Sequence, residues 1–132
     1  VAEYRISEVA GLLGVSDDTV RRWIDAGALP VHLDVSRRKV VDGAALAAFT
    51  REHASAAPEP GEVHSSARNR MVGLVTSVVT DAVMAQVEMQ CGPHRVVSLM
   101  SSEAARDLGL QPGSLAVAVI KSTNVVVETP RR

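Results

Sequence analysis

Aromatic residues make up only 2% of the 132-residue chain, one each of Trp, Tyr and Phe. So small a supply excludes a surface that stacks single-stranded bases, and any core must be built from Val, Ala, Leu and Ile. The hydrophobic fraction of 46% is enough for real cores, and small aliphatic cores in short domains favour association between copies. Cys91 is the sole cysteine, which excludes an intramolecular disulfide framework and fits a reducing compartment. Formal charge is −1, so no global field draws the chain to nucleic acid or to an anionic membrane, and any such contact needs a local patch. There is no long apolar run and no signal-peptide pattern, so a soluble, cytoplasmic protein is expected. His32, His53, His64 and His94 are scattered, and Cys91 with His94 forms a lone pair without partners, so no metal-ion site is expected. No nucleophile-and-base pattern or phosphate-cradling glycine loop appears, and the chain is not expected to be an enzyme.

What is present divides in two. Between His53 and His64, Pro58, Pro60, Gly61 and small residues interrupt the apolar periodicity found on either side. Helical patterns dominate before this stretch, and strand-like alternation follows it. The expected organisation is a domain over 1–53, a linker over 54–64 and a second domain over 65–132.

In the first domain, Tyr4-Arg5-Ile6 is an extended lead-in, and Ser7 is a candidate N-cap for a helix carrying Val9, Leu12 and Leu13. After Gly14, Ser16 starts a second helix with an apolar stripe of Val20, Trp23 and Ile24, closed by Gly27. Val31, Leu33 and Val35 then alternate with polar residues up to Ser36-Arg37-Arg38-Lys39, and Val40-Val41 resume the pattern, which predicts a β-hairpin with a basic tip. Asp42 caps a third helix bearing Leu46 and Phe49. Helix, turn, helix, hairpin, helix is the order of a winged helix-turn-helix.

On the second helix, Thr19 near the start can bond a phosphate or base edge, and Arg21 or Arg22 can pair with guanine. The same arginines are equally readable as solvated charges paired with Asp17, Asp18 or Asp25. Three cations at a hairpin tip, Arg37, Arg38 and Lys39, favour the first reading, since a wing reaches phosphates or the minor groove. The run ISEVAGLLGVSDDTVRRWIDAGALP with its basic wing, over roughly residues 4 to 50, resembles the winged-helix readers of the MerR and excisionase families. That resemblance implies a second helix in the major groove of double-stranded DNA, with Ser16, Thr19, Arg21 and Arg22 as contacts and Arg37, Arg38 and Lys39 at the backbone or minor groove. MerR-type regulators pair through a long coiled coil, and no heptads follow Phe49, so assembly must come from the second domain.

In the second domain, Met71 to Thr80 is Val-rich, and Val83, Ala85, Val87 and Met89 alternate with polar or exposed positions. Arg95 to Met100 predicts a third strand, Ser102 to Asp107 a short helix stopped by Gly109, Leu115 to Lys121 a fourth strand and Val125 to Glu128 a fifth. Five strands with one helix between the third and fourth suit an all-β OB-like barrel. Ser66, Arg68, Asn69, Lys121 and Ser122 could supply the cations and donors a tetrahedral dianion needs; from their chemistry alone, a polar lead into a strand and an exposed strand end is the favoured reading.

The segments SARN followed by MVGLVTSV, then SLMSSEAARDLGL, then AVAVIKSTNVVV, are similar to the molbindin or Mop domains of the TOBE group, over residues 65 to 128. This resemblance implies an OB-like barrel assembling as a hexamer, a trimer of dimers, with molybdate or tungstate held between subunits. It implies that Ser66, Ala67, Arg68 and Asn69 of one chain meet Lys121 and Ser122 of another, with Ser98 and Ser101 lining a second kind of site. Val97 stands where that site often has a threonine. Together the two resemblances imply a transcription regulator responsive to molybdate or tungstate. The alternatives are an oxyanion storage protein with a reader-like appendage, or an architectural DNA binder whose second domain only oligomerises.

Overall fold

The computed structural model describes residues 2–130. The chain divides into two compact units, Val1–Ser55 and Ala56–Arg132.

The first unit begins with strand β1 (Glu3–Arg5), which runs directly into helix α1 (Ile6–Leu13). Helix α2 (Asp17–Asp25), strands β2 (His32–Leu33) and β3 (Lys39–Asp42), and helix α3 (Gly43–His53) follow. The expected Ser7 cap is displaced by two residues: Arg5 holds the cap position, and its backbone N–H donates to Glu8 Oε1 at 3.1 Å. Glu8 reaches back one turn to satisfy a donor that the helix start would otherwise orphan, so Ser7 lies inside the first turn. Gly14, at φ +67°, ends α1 while the Val15 N–H bonds the Ala10 carbonyl at 3.0 Å. Gly27, at φ +79°, ends α2 in the same way, with Ala28 N–H on the Trp23 carbonyl at 2.9 Å. Only glycine takes this left-handed position without strain, so each helix stops where the next segment must turn back. Ser16 caps α2 by accepting from Thr19 N at 3.1 Å, and Asp42 caps α3 by accepting from Ala45 N at 3.3 Å.

Val9 and Ala10 of α1, Val20 of α2, Val41 of β3 and Leu46 and Phe49 of α3 make the core, closed by Leu29. The Trp23 and Phe49 rings pack at 4.9 Å between centroids. The sheet order is β1-β3-β2, all antiparallel. The wing is shorter than the alternation of Val31, Leu33 and Val35 suggests: β2 has two residues, and Leu33 and Val35 are exposed, Val35 fully. Asp34 breaks the strand by turning the chain, so the apolar residues around it have no layer to bury against.

In the second unit, β4 (Asn69–Thr80), β5 (Met84–Cys91), β6 (His94–Ser101) and β7 (Leu115–Ile120) form one antiparallel sheet in the order β6-β5-β4-β7, with helix α4 (Ser102–Asp107) between β6 and β7. Strand β4 is shared: Asn69 to Leu74 pair with β7, and Leu74 to Thr80 pair with β5. The register slips between Val75 and Ser77, where Thr76 is the extra residue and bends the strand. At this bend β5 passes so close that a Cβ on Gly73 would stand 2.3 Å from the Gln90 carbonyl oxygen. The sheet therefore curls into a half-barrel of the OB-like kind, around Val75, Val87, Met89 and Cys91. Ser102, fully buried, donates from Oγ to the Asp81 carbonyl at 2.7 Å and ties α4 to the β4–β5 turn.

The fifth strand expected over Val125 to Glu128 does not form. A short 3-10 turn, Ser122–Asn124, carries the chain away from β7, and Val126 and Val127 are more than 80% exposed. Their apolar β-branched character reads as a strand, but among the described residues no neighbouring strand pairs with them. Among the described residues, no helix is long and apolar enough to cross a membrane.

Candidate functional site

In the first unit, Ser16, Arg21 and Arg22 of the second-helix segment are exposed, while Thr19 is half-buried one turn before Trp23. Thr19 Oγ1 and Ser16 Oγ share a hydrogen bond of 3.0 Å, and Arg22 Nη2 donates to Thr19 Oγ1 at 3.0 Å. Arg21 takes the other path: Nη1 donates to Asp18 Oδ1 at 3.3 Å, both side chains being more than half exposed. The expectation that acids on α2 neutralise its arginines thus holds for Arg21, whereas Arg22 has no acidic partner among the described residues.

The wing tip is a three-residue loop, Val35-Ser36-Arg37, closed by Arg37 N–H on the Asp34 carbonyl at 2.9 Å and by Asp34 N–H on the Arg38 carbonyl at 2.9 Å. Arg37 sits at φ +63°, where this kind of loop ordinarily places glycine or asparagine. Asp34 Oδ1 accepts from Arg38 N at 2.9 Å and from Ser36 N at 2.8 Å. The Arg38 N–H holds the Asp34 carboxyl below its ordinary pKa against the opposing effect of desolvation, with the Ser36 N–H and the charges of Arg38 and Arg5 adding to the lowering. Asp34 was missed from sequence although its signal was there: an aspartate opening a turn bonds the backbone two residues on. Arg37, Arg38 and Lys39 are exposed, and none forms an ion pair among the described residues. Arg37 in the loop, with Arg38 and Lys39 directly after it, thus places three exposed cations on the frame that Asp34 holds.

In the second unit, the β4–β7 register sets Asn69 opposite Ile120, and Asn69 Nδ2 donates to the Ile120 carbonyl at 3.1 Å. The segments that continue from this pair, Ser66-Ala67-Arg68 on one side and Lys121-Ser122 on the other, therefore leave the same end of the sheet within one chain. Ala67 is buried with its N–H on Ser65 Oγ at 3.1 Å, and Arg68 Nη1 donates to the Ser65 carbonyl at 3.2 Å. Arg68, Lys121 and Ser122 are exposed. Their cations and hydroxyl, with the second N–H of Asn69 Nδ2, make a donor-rich end facing solvent. Arg70, two residues on along β4, is engaged by Glu59, with Nε on Oε1 at 2.8 Å and Nη2 on Oε2 at 3.3 Å. The Arg70 guanidinium holds the Glu59 carboxyl below its ordinary pKa.

Ser98 and Ser101 belong to β6, the opposite edge strand. Ser98 lies along an apolar groove of about 280 Å³ between β6 and β7, with Val96, Met100, Val117 and Val119 among its walls. Ser101 Oγ accepts from Ala104 N at 3.0 Å and caps α4. No strand pairing joins these two serines to the donor-rich end.

Residues 65–127 match the TOBE domain family, and residues 3–54 match a helix-turn-helix domain family. The second unit is 40% identical over 63 residues to molybdenum-pterin-binding protein 3 of Clostridium pasteurianum, covering 47% of this chain and 93% of that protein. It is 39% identical over 66 residues to the molybdenum transport protein ModE of Herbaspirillum seropedicae, covering 49% of this chain and 24% of that one. Among solved structures it is similar to the cytoplasmic molybdate-binding protein ModG with molybdate bound: 39% identity, TM-score 0.50, 52% of this chain and 49% of that chain covered.

Proposed function

Since the chain belongs to the molybdenum-pterin-binding protein family through its TOBE domain, and carries a helix-turn-helix domain ahead of it, we propose that it is a DNA-binding transcription regulator responsive to molybdate or tungstate. The observation that carries this reading is the β4–β7 register, which brings the Ser66–Asn69 and Lys121–Ser122 segments to one end of the sheet. A tetrahedral dianion taken from water needs opposite charge and several hydrogen-bond donors. Arg68 and Lys121 supply the charge, and Ser66, Asn69 and Ser122 supply donors. Ala67 contributes by packing, which holds the loop between Ser66 and Arg68 in place.

The anion sits between subunits of a hexamer, a trimer of dimers, where the Ser66–Asn69 segment at the donor-rich end of one chain meets Lys121 and Ser122 at the same end of another. Two features support assembly. Among the described residues, strands β6 and β7 each leave one edge unpaired, with the apolar groove between them, and Val125 to Val127 are exposed without a partner strand. Ser98 and Ser101 line a second, separate anion position on the β6 edge. In the first unit, α2 enters the major groove and the wing cations reach phosphates or the minor groove of double-stranded DNA. A storage protein would have no use for a strained cationic wing, which favours regulation.

A ligand that bridges subunits stabilises only assemblies that form the bridge, so its binding shifts the spacing of the readers. Calorimetric titration of the full chain with molybdate, tungstate and sulfate, alongside sedimentation with and without molybdate, tests the anion half. Saturable heat with molybdate in an oligomer supports it; no heat with either molybdate or tungstate contradicts it.

A further inference from the structure

Residues 54–64 join the reader to the barrel, and their second half is held. Glu59 and Arg70 form a forked pair, with Arg70 Nε on Glu59 Oε1 at 2.8 Å and Nη2 on Oε2 at 3.3 Å. The Arg70 side chain is 25% exposed and that of Glu59 45%, so the pair is partly shielded, and its two parallel bonds fix its geometry. Among the described residues, these are the only hydrogen bonds made by residues 56–64. Packing does not replace them. Val63 is exposed, and the chain, which bends at Pro60 and Gly61, borders an open cavity of about 490 Å³ together with Arg70. A loop over an unfilled cavity gains little from apolar burial, so the ion pair is what holds it to the barrel. Pro58 and Pro60 flank Glu59 and each fixes one backbone angle, which lessens the freedom lost when the carboxylate is seated.

Resting on the reading of the first unit as a DNA reader, we propose that the Glu59–Arg70 pair is a strap that shortens the free tether of the reader and so sets the separations at which two readers of one assembly engage DNA. Helix α3 ends at His53, so with the strap closed only residues 54–58 are free. An extended chain spans at most 3.3–3.6 Å per residue, which limits this tether to about 17 Å. With the strap open, residues 54–64 are free as far as Ser65, whose Oγ accepts from Ala67 N. The limit then rises to about 38 Å. A longer tether spreads a second reader over a larger volume, and its local concentration at a fixed half-site falls about three-fold if it follows the −3/2 power of length. A strapped chain therefore distinguishes half-site spacings that an unstrapped one tolerates.

The test compares the 132-residue chain with Glu59→Ala and with the exchanged pair, Glu59→Arg combined with Arg70→Glu. Cleavage after Glu62 by a glutamate-specific protease reports the loop, since cutting tracks the population of the open form. Duplexes carrying two copies of a half-site selected from a randomised library, at increasing separations, report reach. Glu59→Ala is expected to speed cleavage at least about five-fold, to flatten the spacing preference by about three-fold, and to leave affinity for a single half-site unchanged. The exchanged pair is expected to return both properties toward wild type, which a merely disrupted loop would not do. Circular dichroism melting verifies that the barrel is folded in each variant. Wild-type cleavage in Glu59→Ala, or no recovery in a folded exchanged pair, overturns the strap. Faster cleavage with an unchanged spacing profile overturns its control of reach. Failure of the wild-type chain to select any duplex overturns that control together with the reading beneath it, while cleavage still decides whether the strap exists.

Discussion

Replacing Arg37 by glycine separates what the wing needs for folding from what it needs for function. At φ +63° a residue with a Cβ is strained, by about 1 kcal/mol or somewhat more. Glycine removes that strain but adds freedom to the unfolded chain, costing roughly 0.4–1 kcal/mol. The Asp34 contacts that frame the loop run to backbone N–H groups of Ser36 and Arg38, so they survive the change. The reader unit of Arg37→Gly is therefore expected to be as stable as the wild type or up to about 1 kcal/mol more stable. DNA binding moves the other way. Losing one phosphate contact lowers the slope of log affinity against log salt by about 0.9. Urea unfolding followed by Trp23 fluorescence reports the reader alone, because the chain has one tryptophan and it packs in that core. DNA titrations from low to physiological salt give the slope. Arg37→Ala is the control: it keeps the strained backbone and loses the charge, so it should match glycine in DNA binding without the gain in stability. A clear loss of stability in Arg37→Gly would show that the positive φ carries no strain, and an unchanged salt slope in both variants would show that Arg37 touches no phosphate.

Gly73→Ala places a Cβ 2.3 Å from the Gln90 carbonyl and 2.7 Å from Cys91 Sγ, so the barrel should lose about 2 kcal/mol or more in thermal or urea unfolding; wild-type stability would show that the strands do not approach so closely. Arg68→Ala and Lys121→Ala are each expected to weaken molybdate binding at least about ten-fold by calorimetry, and unchanged affinity in both would move the site elsewhere. Glu59, Asp81 and Glu88 all have pKa values lowered in the folded state, by Arg70, by the Met84 and Val83 backbone N–H groups, and by Arg95 respectively. A carboxyl with a depressed folded pKa stabilises above its unfolded value and loses that contribution as pH falls through the folded one. Barrel stability should therefore hold near neutral pH and fall progressively below about pH 4.5, the ordinary carboxylate range; a rise in stability on acidification would contradict these pairings.

The reader was legible in the sequence because its signals are short-ranged. Gly14, Ser16 and Gly27 act on atoms within about five residues, so each helix boundary they set could be read from neighbours alone. The Ser7 cap failed for the same local reason, since Glu8 was free to bond Arg5 instead. The wing alternation failed because Asp34 outranks it: two backbone N–H groups bonded to one carboxylate decide where the chain turns. In the barrel, the inward set of Ala85, Val87 and Met89 followed from period-two alternation, whereas Val83, expected with them, precedes the strand in the turn and is exposed. The absent fifth strand did not, because a valine run states a preference for pairing without supplying the partner. The donor-rich end was visible only as two separate clusters. What joins them is a pairing between residues 51 positions apart, Asn69 and Ile120, and such a register is a property of the folded sheet. Spacing along the chain does not reveal it.

The central claim is that an oxyanion at the barrel controls the reader. Its most direct test is the affinity of the 132-residue chain for a duplex selected from a randomised library at fixed salt, measured with saturating molybdate, with sulfate at the same ionic strength, and with neither. Molybdate is expected to shift the affinity at least about five-fold, sulfate little, and Arg68→Ala is expected to abolish the shift. The same affinity in all three conditions would contradict it.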